Sequence, residues 1–224
     1  MGILYIVGTP IGNLKDITLR ALEVLKTCDV ILAEDTRVAN KLLSHYNIQK
    51  PIWRADAESE RKIMKKVEEE LLNGKNIAYI SDAGTPNISD PSSFLVGHIR
   101  ANVPDTKIIA TPGPSAVVSF LSVSGVSGDR FTFLGYPPHK KGRNKFFDEL
   151  KNIKITPIVF FESPYRVQKS FDDISRVFGA DTRIVVGKEL TKVFEEIWSG
   201  TPEEAKEYFI GSKLKGEFVV IINV

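Results

Sequence analysis

Apolar positions along this chain alternate between two rhythms. Short unbroken runs, Ile3–Val7, Val30–Ala33 and Ile77–Ile80, read as buried strands. Between them, leucine and valine recur every three or four residues, as on one face of a helix. The spacing predicts a helix over 18–27, with Leu19, Leu22 and Leu25 in phase and Asp16 or Thr18 as its cap. Further helices are predicted over 38–46, over 58–73 with Ile63, Val67 and Leu71 on one face, and over 115–124, after a strand at 107–110. Asp90 suits an N-cap with Pro91 in the first helical position.

The same alternation continues beyond the turn-forming run Ser124-Gly-Val-Ser-Gly-Asp129. Strands are predicted at 130–136, 157–162, 183–188, 193–199 and 217–223, and helices at 144–151, 165–178 and 203–209. The close spacing of the strands starting at Arg183 and Val193 predicts a hairpin, hence a mixed sheet in this half. Phe194, Trp198 and Phe209 read as core aromatics. The expected architecture is two α/β domains, 1–124 and 125–224, facing each other across a cleft.

Three connections stand out because each leaves a strand, enters a helix and is rich in Gly, Pro and Thr. They are Gly8-Thr-Pro-Ile-Gly-Asn-Leu14, Ser81-Asp-Ala-Gly-Thr-Pro-Asn-Ile-Ser-Asp-Pro91 and Thr111-Pro-Gly-Pro-Ser115. One such loop is an ordinary turn. Three at equivalent strand ends point to one ligand site on the rim of a sheet, where α/β proteins bind their ligands.

Composition narrows the chemistry. One cysteine, Cys28, excludes a disulfide within the chain, and three scattered histidines show no metal-ligand spacing. No secretory signal or membrane-spanning run is evident, so a cytoplasmic location away from membranes is expected. Net charge is only +2, yet His139-Lys-Lys-Gly-Arg-Asn-Lys145 holds four Lys and Arg residues. That run reads as a solvated loop or as a phosphate-contacting patch. No G-x-G-x-x-G follows the first strand, and neither a phosphate-binding loop motif nor a hydrolase elbow occurs.

The three loops, together with Glu34-Asp-Thr-Arg37, Glu162-Ser-Pro-Tyr-Arg166 and Lys188-Glu-Leu-Thr191, resemble the tetrapyrrole methylase superfamily. More closely, they are similar to its ribosomal RNA branch, which methylates a cytidine ribose 2′-oxygen in 16S rRNA of the small subunit. The motifs keep the family order from residue 3 to about 222. The resemblance implies S-adenosyl-L-methionine bound between the two domains and a homodimer. By the family pattern Pro10, Thr85, Ile88, Ser115 and Ala116 would contact the cofactor, with Phe161, Leu190 and Glu217 from the second domain. Ser92 stands where such sequences often carry Gly, a modest change at a helix start that is not expected to abolish binding. The chain ends at Val224, where longer relatives continue. If that extra segment holds RNA, binding here is expected to be weaker or to need another partner.

Methyl transfer to a ribose hydroxyl needs aligned reactants and gains from a positioned base. Asp35, Glu162, Lys188 and Glu189 are the candidates near strand ends, although Asp35 and Glu162 equally suit anchors for Arg37 and Arg166. Arg37, Lys140, Lys141, Arg143, Lys145 and Arg166 are the candidate RNA contacts. Tyr165 suits base stacking or the core. Two further functions stay open: methylation of a precorrin-type tetrapyrrole, and a non-catalytic module that binds S-adenosylmethionine or RNA.

Overall fold

A computed structural model gives the fold, describing residues 1–56, 58–90 and 92–223, and all but the side chain of Glu60. The chain divides into two compact units, Met1–Ser115 and Ala116–Val224. The first is a five-stranded parallel sheet of β1 (Ile3–Val7), β2 (Val30–Ala33), β3 (Ile52–Arg54), β4 (Ile77–Ile80) and β5 (Lys107–Thr111), in the order β3-β2-β4-β1-β5. Helices α1 (Leu19–Thr27) and α2 (Thr36–His45) cover one face; α3 (Glu60–Leu72) and α4 (Ser93–Asn102) cover the other.

Burial on both faces explains why β2 and β4 are apolar at every position instead of alternating. Ile31, Ala33, Ala78 and Ile80 pack under α1 and α2, whereas Val30, Leu32, Ile77 and Tyr79 pack under α3 and α4. Thr18 caps α1 by accepting from the Ala21 amide. Asp35 caps α2 by accepting from the Arg37 amide. The start of α4 differs from expectation: Ser92, not Asp90, occupies the cap position, while the part of that reading on Pro91 lies outside the described residues. Strand β3 escaped prediction because three half-exposed residues at a sheet edge carry no periodic signal.

The second unit is a mixed sheet of β6 (Thr132–Phe133), β7 (Ile158–Glu162), β8 (Arg183–Lys188), β9 (Glu196–Gly200) and β10 (Phe218–Asn223), ordered β6-β7-β10-β8-β9. β8 and β9 form the expected antiparallel hairpin. Helices α6 (Arg143–Glu149), α7 (Val167–Phe178) and α8 (Pro202–Tyr208) bury one face, through Phe147, Val167, Phe171, Ile174 and Ala205. Thr201 and Glu204 close a capping box on α8. The opposite face carries α5 (Ala116–Val123), whose Val117, Phe120 and Leu121 meet Val159, Val185, Val219 and Ile221. Gly187 makes this possible, since a Cβ there would lie 2.7 Å from the Phe120 ring.

Phe209 is fully buried and Trp198 packs on it at 5.8 Å between ring centroids. Phe194 is not a core residue: it is 75% exposed in the loop between β8 and β9. An apolar residue two positions ahead of a strand matches a strand pattern, but here the chain is still turning.

Candidate functional site

The three Gly/Pro/Thr loops all leave neighbouring strands of the first sheet, β4, β1 and β5, and they are stitched together. Thr9 and Gly84 exchange backbone hydrogen bonds of 2.8 and 3.1 Å, and the Gly8 amide donates to Thr111 O at 3.0 Å. A Cβ on Gly8 would come within 2.8 Å of Gly113 backbone atoms, so loops 8–14 and 111–115 touch where neither has a side chain. Pro10 is buried beside a cavity of about 130 Å³ that Leu14, Val38, Leu42 and Ser81 also line. That volume lies below the 300–1,000 Å³ usual for an enclosed cofactor site. A larger ligand would therefore lie on the loops themselves. Thr85 is half-buried and accepts from the Ile88 amide at 3.3 Å; Ile88 is exposed, and Ser115 is half-buried at the end of the unit.

Backbone strain gathers in the 81–92 loop. Asn87, Ser89 and Ser92 all adopt positive φ. Ser92 has φ 142°, is 1% exposed, and its hydroxyl finds no partner. Glycine would remove both the strain and the orphaned hydroxyl. Ser92→Gly is expected to stabilise the protein by about 1–3 kcal/mol, read as a higher urea midpoint at unchanged slope. An unchanged midpoint would show that the loop already relaxes this position.

Beside the same loop sits a carboxylate group that sequence reading did not single out. Glu34, at the end of β2, has its carboxyl raised by burial and by the charges of Asp82, Asp90 and Asp56. Asp90 is likewise raised, by burial first and then by Asp82, against a lowering hydrogen bond from Ser81. A raised carboxyl means that the folded state holds its proton more tightly than the unfolded chain. Stability is then complete below the ordinary carboxylate value and falls as pH rises through the raised one. Glu34→Gln should therefore be more stable than the parent at neutral pH, with the gap closing towards about pH 4. Urea unfolding across that range measures it. A gap that does not depend on pH would contradict the assignment.

Asp35 is taken up locally: its carboxylate accepts from the Arg37 amide at 2.8 Å and pairs with the guanidinium at 2.6 Å. The Arg37 side-chain hydrogen bond, then the amide bond, hold Asp35 well below the usual carboxylate range. Arg37 is 86% exposed.

In the second unit, Glu162 of β7, Phe218 of β10, Lys188 of β8 and Glu196 of β9 stand side by side in register at one rim. Glu162 is 1% exposed. One oxygen accepts from Arg143 Nη1 (3.1 Å) and Ser170 Oγ (2.8 Å); the other accepts from the Ser163 amide (2.7 Å) and pairs with Arg166 Nε (2.9 Å). Arg143 also donates to Asp173 at 2.9 Å and Ser170 at 2.8 Å. At 1% exposure Arg143 is an internal strut and not an RNA contact, correcting the reading of the basic run. Helix α6 turns it inward, whereas Lys140, Lys141 and Lys145 face solvent, Lys145 within 3.7 Å of Glu149.

Lys188 is buried, with its ammonium 3.9 Å from Glu196. Glu189 adopts φ 50° and accepts from Lys192 Nζ at 2.8 Å and the Glu217 amide at 2.9 Å. Burial alone would raise its carboxyl, but these bonds and the charges of Lys192 and Lys188 hold it below the usual range. Glu217 is 74% exposed along its side chain and shares Lys192. Phe161 packs edge-on against Phe133 at 5.0 Å, and Leu190 joins the same apolar layer. Ala116 opens α5. Among the described residues, no cluster of His, Cys, Asp and Glu suits a metal ion, and no helix is long and apolar enough to cross a membrane.

Comparison with known proteins agrees with this arrangement. The family model of tetrapyrrole (corrin/porphyrin) methylases matches residues 3–206. Ribosomal RNA small subunit methyltransferase I of Haemophilus influenzae is 42% identical over 226 residues, 99% of this chain and 78% of that protein. The protein of the same name from Thermotoga maritima is 42% identical over 223 residues, 100% of this chain and 99% of its own. Among solved structures, uroporphyrin-III-C-methyltransferase from Thermus thermophilus superposes with a TM-score of 0.70 at 16% identity, covering 100% of this chain and 94% of that one. The methyltransferase CobJ gives 0.70 at 16% identity, with 100% and 95% covered; both speak for the fold. The family match over residues 3–206 and 42% identity across nearly the whole chain place this protein in the tetrapyrrole methylase family, within its ribosomal RNA small subunit methyltransferase I group.

Proposed function

We propose that the protein transfers a methyl group from S-adenosyl-L-methionine to the ribose 2′-oxygen of a cytidine in 16S rRNA, acting in the cytoplasm as a homodimer. The observation that carries this reading is the 42% identity, over essentially the full length, to relatives named for methylating small-subunit rRNA. The first unit suits the cofactor chemically. Its rim offers loop backbone groups outside the sheet ladder, an unpartnered Thr111 hydroxyl at 2% exposure and an exposed apolar Ile88. A ligand joining an aromatic base, a diol and an amino acid asks for such a mixture. Pro10, Thr85, Ile88 and Ser115 would hold it, and the same reading assigns Ala116, Phe161, Leu190 and Glu217 as further contacts.

The bound cofactor supplies a sulfonium methyl open to in-line displacement. Holding the ribose hydroxyl in line accounts for much of the rate, and a base adds about 10²–10⁴-fold. Asp35, Glu162 and Glu189 have their oxygens engaged by Arg37, by Arg143 with Arg166, and by Lys192. They serve best as anchors. Lys188, held by one partner at 3.9 Å, is the remaining candidate for handling the proton.

Incubation with labelled S-adenosylmethionine and unmodified small subunits, free rRNA or a precorrin tests the proposal. Label in a ribose of small-subunit rRNA is the expected result. Label confined to the tetrapyrrole, or cofactor binding with no transfer to any of them, refutes it. Light scattering tests the dimer.

A further inference from the structure

Three aromatic side chains leave the same rim of the second sheet and stay in water. Strands β6, β7 and β8 run in one direction, because β6 pairs parallel with β7 while β10 lies antiparallel to both β7 and β8. Tyr136, Tyr165 and Phe194 lie in the connections that follow their three carboxyl ends, and they are 52%, 94% and 75% exposed. Three large rings exposed at equivalent strand ends differ from apolar residues scattered singly over a surface.

The backbone beneath each ring is fastened. The Tyr136 ring leans on Phe161 at 5.4 Å. The turn carrying Tyr165 is closed by Arg166 and Val167 amides donating to Ser163 O at 3.1 and 3.0 Å, with Arg166 Nε on Ser163 Oγ at 3.1 Å. The loop carrying Phe194 holds two positive-φ residues, Glu189 and Thr191. Lys192 clamps that loop by bonding Glu189 and Glu217, each at 2.8 Å. Rings offered on such supports lose little freedom when something stacks on them.

Charge indicates what would stack. Of the rim carboxylates, Glu162, Glu189 and Glu217 are matched by Arg143, Arg166 and Lys192, and Glu196 by Lys188, while Glu195 beside Phe194 accepts the Thr191 amide. Lys140, Lys141 and Lys169 are exposed, and among the described residues no carboxylate lies within 4.0 Å of them. Aromatic faces interleaved with uncompensated cations suit unstacked bases joined by phosphates. A protein interface, by contrast, is depleted of lysine at its core. Duplex RNA buries its base faces, so the rings select a single strand.

We propose that the carboxyl rim of the second sheet is a stacking platform for a single-stranded RNA segment. Tyr165 and Phe194, with Tyr136, take up bases, while Lys140, Lys141 and Lys169 hold the phosphates between them. The identification of that RNA as part of the ribosomal substrate rests on the function proposed above.

The probe is a fluorescein-labelled single-stranded oligocytidine RNA, with a hairpin duplex for comparison. Tyr165→Ala and Phe194→Ala should each weaken oligocytidine binding about tenfold while leaving its salt dependence unchanged. Tyr165→Phe, which keeps the ring, should bind like the parent. Replacing Lys140 and Lys141 together by Ala should reduce the logarithmic salt slope by about 1.4. S-adenosylmethionine affinity should stay the same in all of these, and KM for small subunits should rise in the ring variants. Unchanged oligocytidine affinity after ring removal overturns the platform. So does a change of oligomeric state on light scattering at unchanged RNA affinity, which would mark this rim as a protein contact. A parent protein that methylates no rRNA would refute the proposed function, while the ring variants would still decide the platform.

Discussion

Replacing Arg143 by Met should destabilise the protein by about 3–5 kcal/mol, the cost of taking a shared, buried counter-charge from two carboxylates. The guanidinium is 1% exposed and reaches Glu162 at 3.1 Å, Asp173 at 2.9 Å and Ser170 at 2.8 Å, tying β7 to α7. It also donates to Pro138 O at 3.5 Å, bracing the loop that carries Lys140 and Lys141. Adding Asp173→Asn to the Met variant should restore part of the loss, because Asp173 then keeps only Arg176 at 3.8 Å, whereas Glu162 still holds Arg166 at 2.9 Å. Urea unfolding of the parent, both single variants and the double variant measures the coupling. If Arg143→Met costs less than about 1 kcal/mol, the guanidinium is not an internal strut.

Gly8→Ala should weaken S-adenosylmethionine binding about 10²-fold. The added Cβ would meet Gly113 Cα and N at 2.8 Å, and the clash is mutual, since a Cβ on Gly113 would lie 2.7 Å from Gly8 O. Ordinary contacts need about 3.5–4.0 Å, so the two loops must part by roughly an ångström. Parting them breaks the loop hydrogen bonds of Gly8 and Thr9, and two or three lost bonds at roughly 1 kcal/mol each amount to about 10²-fold in affinity if the ligand needs the joined loops. Gly97→Ala is the matching control: it adds the same methyl inside α4, where nothing lies within 4 Å. It should leave the affinity alone and add about 0.5–1 kcal/mol of stability. Calorimetric titration of all three proteins decides the matter, and equal affinities would remove the first unit's loops from the cofactor site.

Much of the architecture was legible in the sequence because both sheets are covered on two faces. Double burial writes continuous apolar runs over 30–33, 77–80 and 218–222, and the helices between them repeat at a period of 3.6. The short edge strand at Ile52–Arg54 left no such mark. Ser92 could not be recognised as strained, since a residue's φ follows from how its loop closes on the fold and not from its own identity.

The sequence by itself determined the order of strands and helices apart from β3, the three Gly/Pro/Thr loops and the family. These depend on local composition and motif spacing, which survive in one dimension. Only the tertiary structure decided what each charged or aromatic side chain does. Arg143 and Lys140 sit three residues apart in one basic run, yet the first is sealed inside against Glu162 and Asp173 while the second stands in water. Phe194 and Phe209 read alike as apolar residues, yet one is 75% exposed and the other fully buried. Burial and pairing are set by residues distant in sequence, as with Arg143 and Asp173, so no local pattern could carry that information.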